Sequence, residues 1–412
     1  MAMKEEFKFV VVGHVDHGKS TLIGRLLFDT NSLPPDKMDE VRAASDSAGT
    51  PEFAFVMDHL EEERENLITI DTAQVWFKTD KRDYVIIDAP GHKQFLKNMI
   101  TGSSQASAAL LLIDAKEGIR EQTQRHAYLL SLLGIKQLIV VINKMDLVDF
   151  KEDRFNELKT GITEKLNEYG LSALHVVPIS AKEGDNLAKK TDTMPWFKGN
   201  TLLAYLDDLK AGESDVDGVT RFPVQDIYDH DNEKVIVGKL ISGSLGAGQE
   251  VIFHPCGKSA TIKEIVRFES PKTGAAVAGE CIGIKLEDGI AIKAIKRGEV
   301  ACDVDPSPMI GTRLVAPVFW MSGEPVEVGD TIEFKCATQQ IECKVKKIND
   351  RINSSTLEMI ESEAKELCDT EVAKLTLQAT DYAVTDSFDL VQETGRFVLM
   401  RDGDTVAGGI FQ

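Results

Sequence analysis

No stretch of this sequence is apolar for long enough to cross a bilayer: the longest runs, such as Ala108 to Ile113, fall far short of the roughly 20 residues a spanning helix needs. The N-terminal apolar run follows Glu5 and Glu6 and is too short for a signal peptide, so a cytoplasmic protein with no membrane partner is expected. Cysteine is sparse as well. Cys256, Cys281, Cys302, Cys336, Cys343 and Cys368 form no CxxC pair, which disfavours a metal site and fits reduced, mostly buried thiols. Positive charge is in deficit, with 47 Lys and Arg against 67 Asp and Glu for a net charge of -20. Because phosphate backbones are held by clustered Lys and Arg, this balance argues against non-specific adhesion to nucleic acid and against a DNA partner, but it leaves room for a local basic face. Low-complexity tracts and short-period repeats are missing too, so the chain is expected to fold along nearly its whole length.

What is present is enough chain, 412 residues, for two or three hydrophobic cores. From Phe7 to about Leu209, apolar runs alternate with helical stretches: FKFVVVG then STLIGRLLF, DYVIIDAP then FLKNMI, AALLLIDA then QRHAYLLSLL, KQLIVVINK then RFNELKTGITEKL, and LHVVPIS. Strands covered on both faces read as continuous apolar runs, and helical connections impose parallel pairing. The pattern therefore predicts an α/β doubly wound sheet with its ligand at the carboxyl ends of the strands. After residues 211–218 it changes to short strands with Gly and Pro turns, as in Lys234 to Ile241, Gln249 to Phe253 and Glu280 to Leu286, which predicts antiparallel β-barrels. A second break at Asp305-Pro306-Ser307-Pro308 gives three expected domains: a P-loop domain at 1–217, a β-barrel at 218–308 and a C-terminal β-barrel at 309–412. Beyond residue 218 only Thr356 to Leu367 reads as a helix.

The first apolar strand runs into Gly13-His14-Val15-Asp16-His17-Gly18-Lys19-Ser20-Thr21, a Gly-x4-Gly-Lys-Ser loop between a strand and a helix, the context in which this motif binds phosphate. Backbone N–H groups converge on phosphate oxygens, Lys19 offsets the charge of the outer phosphates, and Ser20 offers its hydroxyl to Mg2+. Base identity comes from Asn143-Lys144-Met145-Asp146 at the end of QLIVVI. The Asp146 carboxylate accepts two N–H donors from guanine, whereas adenine turns a lone pair toward it, so GTP is favoured over ATP. In Asp88-Ala89-Pro90-Gly91-His92, Asp88 can hold Mg2+ through water and the Gly91 N–H can meet the γ-phosphate. Thr69, in ENLITI, can supply a second hydroxyl to the metal, so that loss of the γ-phosphate releases its segment. Ser180-Ala181-Lys182, after LHVVPI, can close over the base through backbone N–H groups.

These five segments, in this order through Lys182, resemble the translation-type GTPases. The resemblance implies that His92 orients the attacking water and, with Lys19 and Asp16, carries the catalysis. It further implies that Val15 and Ile68 form a hydrophobic gate holding His92 back until a trigger arrives, and that Asp16 supports the γ-phosphate side. Leu67 departs from the family, where Gly is usual.

Two branches of that class join one GTPase domain to two β-barrels at about this length: elongation factors that carry aminoacyl-tRNA, and the GTPase subunit of bacterial sulfate adenylyltransferase. Gln122-Thr123-Gln124-Arg125-His126, Ser131 to Lys136, Asn143 to Asp149, Met194 to Phe197, Arg221 to Gln225 and Trp320-Met321 look like the sulfate branch. Residues 13–18, Ala89, Ser180 to Lys182 and Thr338 to Lys344 look like the elongation factors. With no obvious basic patch in the last hundred residues, the balance favours the sulfate branch. That resemblance implies a GTPase inside a sulfate adenylyltransferase complex, a nucleotidyltransferase. GTP hydrolysis would drive adenylyl transfer from ATP to sulfate on a smaller PP-loop catalytic subunit, in a heterodimer or higher assembly. The alternatives are an elongation factor delivering aminoacyl-tRNA to the ribosome and a GTP-dependent switch with no coupled enzyme. Trp196, Phe222 and Trp320 are expected as packing residues at domain junctions.

Overall fold

The computed structural model describes residues 6–14, 16–33, 38, 53, 74–87, 106–132, 134–210, 218–230, 233–267, 274–287, 294–354, 356 and 358–412. The chain divides into two compact units, Met1–Ala211 and Gly212–Gln412.

The first unit is a six-stranded sheet among the described residues, in the order β2-β3-β1-β4-β5-β6. Its strands are β1 (Glu6–Gly13), β2 (Gln74–Lys78), β3 (Asp83–Ile87), β4 (Ala108–Asp114), β5 (Gln137–Asn143) and β6 (His175–Pro178). β4 buries every residue and β5 all but its first, because helices cover both faces of a parallel sheet. Four of those helices are described: α1 (Lys19–Asp29), α2 (Glu121–Leu132), α3 (Glu152–Glu168) and α4 (Leu202–Asp208). α3 shows how the sequence selects them, since Phe155, Leu158, Ile162 and Leu166 recur at helical spacing and are its buried residues. β2 is absent from the sequence reading. It runs antiparallel to β3 at the sheet edge, and residues 75–78 alternate, Val75 and Phe77 inward against Trp76 and Lys78 outward, too briefly to stand out. β1 lies between β3 and β4, so the connections diverge there and open a crevice at the carboxyl ends. The register pairs Gly13 with Leu112 and Asp114 with Asn143, which brings the ends of β1, β4 and β5 level.

The second unit contains two antiparallel β-barrels. The first closes through Glu250–His254, Lys258–Val266, Cys281–Leu286, Glu233–Lys239, Arg221–His230 and Val300–Cys302. The second runs Thr331–Cys336, Arg396–Arg401, Asp404–Ile410, Met309–Trp320, Glu371–Thr385 and Gln339–Asn353, then returns to Thr331–Cys336. Strand alternation is plain in Gln339–Asn353, where Ile341, Cys343 and Val345 face the core and Gln340, Glu342 and Lys344 face out.

Two expectations are corrected here. Thr356 to Leu367 forms no helix: Met359–Ala364 pairs with Gln339–Asn353, and Glu366–Leu367 with Val326–Glu327. Leu357, Ile360, Ala364 and Leu367 imitate helical spacing, yet Ile360 is 47% exposed, so the spacing builds no apolar face. Phe222 and Trp320 pack, but inside the cores of the first and second barrel respectively instead of at a junction. Trp196 is half-buried against Phe155 and donates from Nε1 to the Phe150 carbonyl at 3.0 Å.

The junction between the barrels is held by Arg221, whose guanidinium is fully buried. Its Nε and Nη2 each reach Asp386 at 3.0 Å, Nη1 donates to the Thr220 carbonyl at 2.9 Å, and Nη2 also donates to the Pro306 carbonyl at 3.2 Å. Thr394 Oγ1 donates to Asp386 at 2.7 Å, and Val300, Cys302 and Val384 form an apolar cluster. Partnered this fully, the ions tolerate burial that would otherwise be costly. All six cysteines are free thiols, three of them buried. Among the described residues no helix is long and apolar enough to cross a membrane.

Candidate functional site

The glycine-rich loop leaves β1 at the crevice, and its path is set by backbone torsion. Asp16 has φ 67° and Gly18 φ 88°, both left-handed. Gly18 is required twice over, because a Cβ there would also fall 2.5 Å from Asn143 Nδ2. Lys19 opens α1 and folds back across the loop, donating from Nζ to the Gly13 carbonyl at 2.9 Å and the His14 carbonyl at 3.4 Å. Among the described residues no side chain caps α1, so its first N–H groups suit an anion. The Ser20 hydroxyl makes no hydrogen bond among the described residues and stands at the same helix end, which suits a Mg2+ ligand.

The base end is organised around Asn143, which is 1% exposed at the end of β5. Its Nδ2 donates to the His17 carbonyl at 2.9 Å, and its Oδ1 accepts the Ala181 N–H at 3.0 Å. One carboxamide thus ties the phosphate loop to the base loop. Ser180 Oγ donates to Asp146 Oδ1 at 2.6 Å and accepts the Glu183 N–H at 3.3 Å. Oδ2 of Asp146 makes no hydrogen bond among the described residues and remains for a ligand. The Ala181 N–H, expected to face the base, is taken by Asn143.

Asp114 and Glu117, which no sequence motif singles out, stand at the site as well. Asp114, 1% exposed, pairs with Lys144 Nζ at 2.9 Å and accepts the N–H groups of Lys116 and Glu117 at 2.7 and 3.0 Å. Burial works against its charge, but the Lys144 ammonium and these two amides hold the carboxyl below its ordinary value. A carboxylate ending β4 directly beside Asn143 in the register is the signal that would have found it. His14 donates from Nδ1 to Gln122 Oε1 of α2, and its ring meets that of His17 edge-on at 5.2 Å. His17 is buried, with Nδ1 at 3.2 Å from the Leu112 carbonyl and Nε2 at 3.7 Å from Glu117, and burial pushes its pKa down.

The structure therefore brings together Gly13, His14, Asp16, His17, Gly18, Lys19, Ser20 and Thr21 with Asn143, Lys144, Asp146, Ser180, Ala181 and Lys182. Val15, Leu67, Ile68, Thr69, Asp88, Ala89, Pro90, Gly91 and His92 lie outside the described residues. Among the described residues no group of three or more His, Cys, Asp or Glu side chains could hold a metal ion.

The family model described as Elongation factor Tu GTP binding domain matches residues 4–211, and the one described as GTP-eEF1A C-terminal domain-like matches residues 313–412. Elongation factor 1-alpha of Methanopyrus kandleri is 38% identical over 420 residues, covering 99% of this chain and 97% of that protein. Elongation factor 1-alpha of Methanothermobacter thermautotrophicus is 38% identical over 411 residues with the same shares covered. A solved structure of sup35 complexed with GDP aligns with 100% of this chain and 95% of that chain at 24% identity and a TM-score of 0.46.

These full-length relatives overturn the sulfate adenylyltransferase assignment, and the PP-loop catalytic partner falls with it. The structure gives the physical reason the signatures misled. Gln122 serves His14, Arg221 holds the barrel junction, and Phe222 and Trp320 fill cores. Such framework positions report how the scaffold is packed and say little about its partner.

Proposed function

Since the chain belongs to the family of elongation factor Tu and elongation factor 1-alpha GTP-binding proteins, we propose that it is a GTP-driven, cytoplasmic carrier of aminoacyl-tRNA to the ribosome. The observation that carries the guanine part is Asn143, which joins phosphate loop to base loop and leaves Asp146 Oδ2 open beside them. GTP is the substrate. Asp146 accepts from the guanine edge, the Lys182 N–H and the α1 amides donate to the ligand, and Lys19 balances the outer phosphates. Ser20, Thr69 and, through water, Asp88 would hold a Mg2+ ion, which would supply neutralisation of the charge that develops on the phosphates. His92 orients the attacking water and Asp16 supports the γ-phosphate side, with Val15 and Ile68 as the gate. The domains are taken as 1–217, 218–308 and 309–412.

Likeness along the full length to proteins named Elongation factor 1-alpha supports the carrier role. A local feature supports it too. Lys344, Lys346, Lys347 and Lys374 are exposed on neighbouring strands of the second barrel and make no ion pair among the described residues, so a chain of net charge -20 still presents a basic stripe. The test is ester protection: the GTP-bound chain is expected to slow deacylation of aminoacyl-tRNA and the GDP-bound chain is not. Equal deacylation in both states overturns the carrier role and leaves a GTPase switch.

A further inference from the structure

α1 carries the phosphate loop at its N-terminal end, and Arg25 stands six residues beyond Lys19, about 9 Å along the axis. Its side chain is 19% exposed and held from several directions. Nη1 donates to the Lys182 carbonyl at 3.2 Å, while Nε donates to Asp29 Oδ1, one turn on, at 3.0 Å. The guanidinium lies 5.2 Å from the Phe53 ring centroid and 6.0 Å from that of Phe28. Gly184 approaches so closely that a Cβ there would fall 2.1 Å from Nη2 and 2.3 Å from Cζ, and its φ of 86° also suits glycine. Only a planar, permanently charged fork meets a carbonyl, a carboxylate and an aromatic face at once.

Among the described residues, side-chain hydrogen bonds tie Ser180, Ala181 and Lys182 to the rest of the unit at three points. Two come from the Asn143–Asp146 segment, at Ala181 and Ser180. The third is Arg25, and among the described residues it supplies the hydrogen bond that joins this loop to α1. We infer that Arg25 is a positioning residue that sets how long a guanine nucleotide stays bound, by fixing the Lys182 peptide over the base and coupling that loop to α1. The inference rests on the GTP reading proposed above. The clamped Lys182 carbonyl shares its peptide plane with the Glu183 N–H, which donates to Ser180 Oγ at 3.3 Å, and the Ala181 N–H is held by Asn143. The peptide that bears the Lys182 N–H is thus pinned on both sides, and that N–H, without a hydrogen-bond partner among the described residues, keeps one direction. Opening the loop then requires breaking a charge-assisted hydrogen bond that the ligand itself never touches.

The test compares dissociation of fluorescent GDP with single-turnover GTP hydrolysis in full-length Arg25→Ala and Arg25→Lys chains. Arg25→Ala is expected to release GDP about tenfold faster, with hydrogen exchange quickened at residues 181–184 and the hydrolysis rate constant moved by less than about twofold. Arg25→Lys keeps a donor for the carbonyl but loses the stacking and the second bond, so its GDP release is expected to be about threefold faster. If the alanine chain fails to fold, the lysine chain decides alone: faster release supports the inference and an unchanged rate overturns it. Hydrolysis and release changing in parallel marks general loosening of α1 and also overturns it. An unmodified chain that binds no guanine nucleotide overturns the GTP reading, and this inference with it, whereas tight binding with no response to Arg25 overturns the inference alone.

Discussion

The two ends of the nucleotide site are built by different means. At the base end side chains hold the loops, with Asn143 bridging His17 and Ala181 and Ser180 fastened to Asp146. At the phosphate end backbone torsion does the shaping, through left-handed Asp16 and Gly18, and the helix is left without a side-chain cap. Among the described residues the base end is therefore fastened by protein groups, with Asp146 Oδ2 left open, whereas α1 opens at the phosphate end with no side-chain cap. The division matches the two recognition tasks. On the function proposed above, guanine is the same in GTP and GDP, so its reader can be rigid, whereas the other end would have to tell three phosphates from two with groups whose partners change.

The sharpest way to break this comparison is Asn143→Ala, which strips the buried His17 carbonyl and Ala181 amide of their partner at about 1–3 kcal/mol each. GTP affinity, read by fluorescent nucleotide titration, is expected to fall at least about 100-fold. A fall below about fivefold would mean that the base end is not carried by side chains. Asp146→Asn comes next. The carboxamide still accepts from Ser180 but loses the charged bonds to guanine, so GTP affinity is expected to fall about 30-fold while xanthosine triphosphate gains. Gly18→Ala probes the other end: strain at φ 88° and the 2.5 Å approach to Asn143 Nδ2 are expected to weaken GTP about tenfold. If it weakens base discrimination as well, the two ends are less separate than their construction suggests.

The smallest effect concerns His17. Burial, opposed by the Leu112 carbonyl and the nearby Asp114 and Glu117, lowers its pKa from 6.5, with His14 adding to the lowering. The unfolded chain thus binds a proton that the folded chain refuses, so stability rises with pH up to about 6.5 and is lost as pH falls below it. Urea unfolding is expected to show a slope of at most about 1.4 kcal/mol per pH unit there, flattened in His17→Gln.

The legible parts of the fold were those with strong periodicity. β4 and β5 announce themselves as unbroken apolar runs, and α3 through its four buried residues. β2 is an edge strand of five residues, and Met359–Ala364 carries helical spacing while pairing as a strand, so tertiary context overrode local pattern in both. In the site, contiguous motifs such as Gly13 to Thr21 could be read because their chemistry is local. Asp114, Glu117, Gln122 and Arg25 could not, because each acts on a residue far off in sequence: Asp114 on Lys144, Arg25 on Lys182. The branch signatures mislead because Gln122 and Arg221 serve the packing of the scaffold, and net charge, a sum over the whole surface, says nothing of the exposed lysines of the second barrel.

The ion pair of Arg221 with Asp386 bears on how such chains can be recombined. The visible break at Asp305-Pro306-Ser307-Pro308 invites a splice there, yet a C-terminal segment taken from a relative without an acid at the matching site would strand the guanidinium in an anhydrous interior, at about 3–5 kcal/mol. A splice near Ala211 moves both charges together. The barrels are therefore a single unit of inheritance: in a lineage that shuffled its segments, Arg221 and Asp386 would travel as one allele or be lost as one.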